Sequence, residues 1–255
     1  MIDEETNETR FGGKKFAQRI VHCIEESIGN RLKEDIFSQG LRTQNSTPFR
    51  TWDHMNTLLY TQMPELSCIA DTTKRGWWQL VPIYNPETHC VYTIMREERF
   101  LELQGTRYQR KPVHYLDCFA TVLNSKLVTS NIQMSLFPDE TPNESQCAVV
   151  EQILADLSIP EADVKNHVLV LFRASGFTLQ KVRAVIINGS LQIIEEVNWS
   201  GFIAHDDSII MDTVDDVKAD YNQPAGGLAL TQKANLRLNK GLRVAEETNQ
   251  NSKKA

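Results

Sequence analysis

The chain has 255 residues, 41% hydrophobic and 24% charged, the balance of an ordinary globular protein with room for one large domain or two small ones. Its formal net charge of −6 gives no bulk attraction to phosphate, so contact with nucleic acid requires a local patch. Met1–Arg10 is polar and acidic without an apolar leader, and no apolar run approaches the roughly 18–20 residues of a membrane span, so a cytoplasmic protein with no membrane partner is expected.

Taken in order, Phe16, Ile20, Ile24, Ile28, Leu32 and Ile36 recur every fourth position, which predicts one long helix with a single apolar stripe. Gly40 and Asn45-Ser46-Thr47-Pro48 break it. Thr51 is suited to cap a second helix carrying Asp53 in its first turn and Met55, Leu58 and Leu59 on its inner face, ended by Pro64. Trp77–Tyr84 and Cys90–Met95 read as a hairpin around Asn85-Pro86-Glu87-Thr88. Arg96–Leu103 reads as a short charged helix, and Pro112 opens another with Val113, Leu116, Phe119, Ala120 and Leu123 on one side.

The stretch Asn131–Glu140, NIQMSLFPDE, joins two segments that each carry helical and strand patterns. Thr141-Pro142-Asn143-Glu144 has the form of a capping box with proline at the first helical position, so a helix running through Val149, Ile153 and Leu157 is expected to start there. Val168–Phe172, Lys181–Ile187 and Leu191–Val197 follow as strands, the last two flanking Asn188-Gly189, a strong hairpin signal. Trp199 and Phe202 are expected to close that core. From Asp206 onward the chain is acidic, then glycine-rich, then locally basic, which reads as a solvated tail with, at most, one short helix.

Gln133-Met134-Ser135-Leu136-Phe137 has the form Gln-x-Ser-Leu-Phe and resembles the peptide that bacterial DNA-metabolism proteins insert into the polymerase sliding clamp. That resemblance implies Leu136 and Phe137 as apolar anchors and Gln133 as a rim hydrogen-bonding group, with Ser135 at a small polar position and Met134 in place of a leucine. The alternative is a Leu-Phe pair tucked under the fold as a loop anchor.

Catalytic candidates are less specific. Walker, HExxH, G-x-S-x-G and dinucleotide-binding patterns are missing from the sequence, and no motif calls for a cofactor. Arg50, Asp53 and His54 gather at a helix start, where they would polarise a phosphate or move a proton; equally, Asp53 serves the helix dipole and Arg50 pairs locally. His114 and Asp117, three apart on one helical face, form a candidate acid–base pair or a surface-paired histidine. Arg107 and His114 have the arginine–six residues–histidine spacing of a large ribonuclease group, but Pro112 falls between them. Glu195 and Glu196 end a strand without the lysine a metal-dependent nuclease needs. Cys23, Cys68, Cys90, Cys118 and Cys147 are single and odd in number, the pattern of free thiols; His89-Cys90 with His114 and Cys118 is the nearest approach to zinc spacing, and no metal site is assigned.

Phe49-Arg50-x-Trp52-Asp53-His54-x-Asn56, Gly76-Trp77-Trp78, Met95-Arg96-Glu97, His114-Tyr115-Leu116-Asp117 and Val168–Phe172 together resemble an uncharacterised bacterial family, a domain of unknown function of Gram-positive genomes and their mobile elements, over about residues 15–205. The resemblance implies no activity. It points to mobile-element, phage-defence or toxin–antitoxin biology, in which a replication clamp is a known kind of target and an antitoxin a natural partner.

The expected architecture is α+β: a disordered start over 1–11, a first segment over 12–127, an exposed joint over 128–140, a second segment over 141–205 and a mobile tail over 206–255. The body is expected as one compact unit of helices packed on antiparallel hairpins. The expected function is an interaction protein that binds the sliding clamp through Gln133–Phe137. Its rivals are a nucleic-acid-acting enzyme using Arg50, Asp53, His54 or His114, and a regulatory module without catalysis.

Overall fold

Gly29 cuts the first apolar stripe in two. In the computed structural model, which describes residues 10–40, 42–110, 113–125, 127 and 142–204, helix α1 spans Gly13–Ile28 and α2 spans Asn30–Gln39. The backbone turns at Gly29 with φ −87° and ψ −102°, and a Cβ there would sit 3.0 Å from the Glu25 carbonyl oxygen. The single long helix expected from Phe16 to Ile36 is therefore two helices. α1 buries Phe16, Ile20, Ile24 and Ile28, whereas α2 buries Leu32 alone.

Helix α3, Thr47–Gln62, starts a turn earlier than Thr51. Pro48 sits in its first turn, where the missing N–H has no helical partner to lose. Thr51 is inside the helix, buried, with its hydroxyl donating to the Thr47 carbonyl at 3.0 Å. The strands that follow are short: β1 Ile69–Ala70, β2 Thr73–Arg75, β3 Trp78–Leu80 and β4 Ile83–Asn85, then β5 Cys90–Arg96. Pro82 explains why the run Trp77–Tyr84 is two strands rather than one, since proline cannot donate to a ladder. β3 pairs with β2 as a separate ribbon, and β4 pairs with β5 in the expected hairpin, Ile83 opposite Tyr92.

Helix α4 spans Glu97–Gly105, α5 Tyr115–Val122 and α6 Glu144–Asp156, after which come β6 Asn166–Ser175, β7 Thr178–Ile187 and β8 Ile193–Asn198. Two of these helices start later than the prolines suggest. His114, not Pro112, caps α5, and Asn143, not Thr141, caps α6: the Asn143 side chain accepts from the Gln146 amide while the Gln146 side chain accepts from the Asn143 amide. Pro112 and Thr141 lie outside the described residues. The Asn188-Gly189 hairpin forms, but its turn is longer than two residues. Asn188 Oδ1 accepts from the amides of Ser190 and Gln192, and the left-handed position is Leu191, φ 59°, whose side chain is fully buried.

One six-stranded sheet runs in the order β1-β4-β5-β6-β7-β8. Every adjacency is antiparallel except the central one, where β5 and β6 run parallel with Tyr92 beside Val168. The fold is thus α+β, with a mostly antiparallel sheet. A parallel pair cannot be closed by a tight turn, so α4, α5 and α6 form the crossover between β5 and β6. Alternation along the strands then sorts side chains to two faces. Tyr92, Ile94, Val168, Val170, Phe172, Val182 and Ala184 pack against α1 and α3, with Trp199 buried among them and Phe202 partly so. Val91 packs on α5 and α6, while Met95, Leu169, Leu171, Val185 and Ile187 pack on Phe100 and Leu103 of α4 and Leu116 of α5. Each enclosed Leu or Phe contributes roughly 2 kcal/mol from lost apolar surface.

A buried amide ties the end of α5 to β6 and β7. Asn124, just past α5, donates from Nδ2 to the carbonyls of His167 (3.0 Å) and Ile187 (2.9 Å) and accepts at Oδ1 from the His167 amide (2.8 Å). Beside it, the His167 ring is fully buried, stacked on Phe119 at 4.6 Å and bonded through Nε2 to the Thr93 hydroxyl at 2.8 Å.

Candidate functional site: a cationic and aromatic corner

Arg50 and His54 of α3 meet on an unforeseen partner, and Asp53 does not join them. Asp35 of α2 accepts from Arg50 Nη1 at 2.9 Å and lies 3.3 Å from His54 Nε2. Arg50, His54 and Asp35 are half-buried together, while Asp53 points to solvent. Asp35 was not legible as a partner because the loop between α2 and α3 decides which residue of α2 faces Arg50. The carboxylate holds both side chains at the helix junction.

Beside that group runs a line of rings. Phe172 packs edge-on to Trp52 (5.9 Å), Trp52 to Trp78 (5.8 Å) and Trp78 to Trp77 (5.7 Å), with Phe49 touching both Trp77 (6.3 Å) and Trp78 (6.4 Å). Arg96 lies over the Phe172 ring at 5.5 Å. The inner end is core; the outer end is not. Trp77 is 80% exposed and Phe49 50%. Gly76, with φ +64°, makes the tight turn that lifts Trp77 to the tip of the β2–β3 ribbon.

The His114 group is built differently from an acid–base pair. The ring Nδ1 accepts from the Leu116 amide at 3.1 Å, and Asp117 Oδ2 accepts from the His114 amide at 3.1 Å. The two side chains thus cap α5 reciprocally instead of bonding each other. Accepting at Nδ1 fixes the neutral tautomer with its proton on Nε2. Burial, with the charges of Arg110, Arg99 and Arg75 added, holds His114 down at about 4. Asp117 Oδ1 takes a 2.7 Å bond from Arg110 Nη2, yet burial outweighs that cation and raises the carboxyl above its ordinary value. Arg110 Nε and Nη1 are buried without a hydrogen-bond partner. Arg107 begins a 3-10 turn, Arg107–Gln109, so it and His114 do not share one helix.

At the end of β5, Glu97 gathers three cations around one buried carboxylate. Oε1 accepts from Arg183 Nη2 at 2.6 Å and lies 3.8 Å from Lys181 Nζ, and Oε2 lies 3.0 Å from Arg173 Nη2 without hydrogen-bond geometry. Glu97→Gln is expected to destabilise the protein by about 2 kcal/mol, less than a fully buried pair because the arginines and lysine reach solvent. Urea denaturation checks this, and the same substitution should raise the salt sensitivity of the unfolding midpoint.

Other candidates have local roles. Glu195 pairs with Arg10 at 2.6 Å and Glu196 with Arg183. Cys23, Cys68, Cys90 and Cys118 are buried free thiols, and burial pushes Cys23 and Cys68 up to about 12 and Cys118 to about 11. Cys118 donates to the His114 carbonyl at 3.5 Å. Gln133, Met134, Ser135, Leu136 and Phe137 lie outside the described residues. No described helix is long and apolar enough to cross a membrane. The line of rings joining Phe49, Trp52, Trp77, Trp78 and Phe172 was missed as a group; the sequence signal for its outer end was the run Gly76-Trp77-Trp78.

Comparison with known proteins adds a family and no activity. No curated protein and no solved structure matches the chain. Residues 13–245 match the model described as a family of unknown function, DUF5986, which reaches beyond residue 205, where the resemblance seen in the motifs ended. Covering most of the 255 residues, that match shows that the chain belongs to the DUF5986 family.

Proposed function

We propose that this protein is an interaction protein that engages the bacterial DNA sliding clamp through Gln133–Phe137, in the service of a mobile element, of phage defence or of a replication-interfering toxin. The carrying observation is the pentapeptide itself, in the connection between α5 and α6. The structured flanks are compatible with display. α5 ends at Val122 with the Leu123 amide bonded to Phe119 and Asn124 clipped to the sheet, and α6 starts on its own Asn143–Gln146 capping box. Extended backbone with Leu136 and Phe137 in preformed pockets would supply most of the affinity, and Gln133 the orientation.

A nucleic-acid-acting enzyme is less well supported by the same geometry. Arg50 and His54 are engaged by Asp35, and His114 and Asp117 by the α5 cap.

A labelled Asn131–Glu140 peptide titrated with purified clamp is expected to bind in the micromolar range, and the full chain to bind at least as tightly. Leu136→Ala with Phe137→Ala should weaken both by tenfold or more, since truncating central apolar anchors costs about 2 kcal/mol each. Peptide and full chain both silent at about 100 µM clamp would remove the clamp from this protein's function.

A further inference from the structure

The β2–β3 ribbon ends in the turn Gly76–Trp77, with Arg75 and Trp78 directly opposite each other behind it and Lys74 opposite Gln79. Helix α3 runs alongside, its first turn level with the ribbon's end. Phe49 touches Trp77 at 6.3 Å, and farther back Asn56 Nδ2 donates to the Gln79 carbonyl at 3.4 Å. Trp77 is 80% exposed and Phe49 50%, so two large rings in mutual contact stand open at the end of the ribbon. Trp77 meets Trp78 edge-on and Trp78 meets Trp52 the same way, which stiffens the projection. Contiguous apolar surface of this kind marks a place where something docks.

The charge flanking these rings in sequence has one sign. From Ile36 to Trp52 the chain carries Arg42 and Arg50 and no acid, and from Thr72 to Pro86 it carries Lys74 and Arg75 and no acid, in a protein of net charge −6. Arg50 is spent on Asp35, whereas Lys74 and Arg75 make no ion pair among the described residues. The exposed acid of α3, Asp53, comes one turn after Phe49, farther from the ribbon's end. Successive strand residues point to opposite faces, so Lys74 and Arg75 lie on the two sides of the ribbon. Strand rise sets them roughly 3–7 Å behind the turn.

We propose that the ribbon's end and the first turn of α3 dock on the surface of an anionic phospholipid bilayer, Trp77 and Phe49 entering the border between headgroups and acyl chains while Lys74 and Arg75 lie at headgroup depth. The layering matches. A headgroup layer is about 5–7 Å thick, and indole favours its inner border because the ring is apolar and its N–H polar. Cations on both sides of the ribbon reach headgroups together, whereas a docked protein would cover one face and meet one of them. Surface contact needs no spanning helix, so the missing apolar run of that length does not bear on it. The site is separate from Gln133–Phe137, so it stands or falls independently of the clamp.

The test is co-sedimentation of the full chain at low salt with vesicles of phosphatidylcholine containing about 30% phosphatidylglycerol, tryptophan emission being followed in parallel. Binding is expected, with a blue shift of the emission, and vesicles of phosphatidylcholine alone should bind at least tenfold more weakly. Trp77→Ala should weaken binding about tenfold and remove most of the shift. Lys74→Gln with Arg75→Gln should weaken it about tenfold and remove most of the salt dependence. Lys74 and Trp77 are exposed and Arg75 half-exposed, so circular dichroism and the melting midpoint of the variants should match the parent; Lys15→Gln on α1 is the control. No binding at about 1 mM lipid, equal affinity for neutral vesicles, or binding that either Trp77→Ala or the double variant leaves within about twofold overturns the proposal. So does a Trp77-dependent dimer in vesicle-free sedimentation, which would give the patch to a second copy of the chain.

Discussion

Asn124→Ala is expected to cost about 3–5 kcal/mol of folding free energy, the largest effect of any single polar substitution in the described residues. The removed amide serves three buried backbone groups, the N–H and carbonyl of His167 and the carbonyl of Ile187. Each group left without a partner costs about 1–3 kcal/mol, and all three lie on the central strands, where water cannot replace the amide. Asn124→Asp should be no better, because it keeps the acceptor but loses both donated bonds and buries a charge. Urea titration with an unchanged slope would read the loss directly. A shift smaller than about 1 kcal/mol would mean that α5 is not clipped to β6 and β7 in the way the distances indicate.

Acid is expected to unfold this protein through two histidines. His167, enclosed and fully desolvated, is held down to about 3, and His114 to about 4, against an ordinary value of 6.5. The unfolded chain therefore binds protons that the folded chain refuses, so stability is full above 6.5 and falls as pH drops through that window. Near pH 4 the His167 term alone amounts to roughly 3 kcal/mol. Asp117 works the other way, since its raised carboxyl value lets the folded state take up its proton first. His114 adds to the loss, discounted because the residue is only partly buried. His167→Gln removes the larger effect: its urea midpoint should be lower than the parent's at neutral pH but should fall less on acidification. Parallel pH profiles for parent and variant would show that His167 is not the group refusing the proton.

The two expectations arise from residues that the sequence offers no means of ranking. Asn124 reads as the end of a segment, and His167 as an isolated histidine beside a hydrophobic strand. Only the parallel pairing of β5 with β6 places Thr93 against the ring and brings the strand's backbone within reach of Asn124. The same lesson holds at the surface. Arg50 and His54 are near each other in sequence, so their association was readable, but their shared partner Asp35 comes from another helix.

What the sequence by itself determined is the set of local periodicities: the apolar faces of the helices, the two hairpins around Asn85–Thr88 and Asn188-Gly189, and hence the α+β class. These are set within a few turns by burial and turn chemistry. Element ends were less legible. Pro48, Pro112 and Pro142 all lie near helix starts, but the residue that caps is chosen by which side chain can reach the free amides, His114 following Pro112 and Asn143 taking the place expected for Thr141. Tertiary structure alone decided the central parallel pair, because strand order depends on how a crossover of three helices packs on the sheet and not on any short-range signal. It also decided which charges pair, Asp35 with Arg50 and Glu97 with Arg183, since such an ion pair is a matter of distance across the fold and not of spacing along the chain.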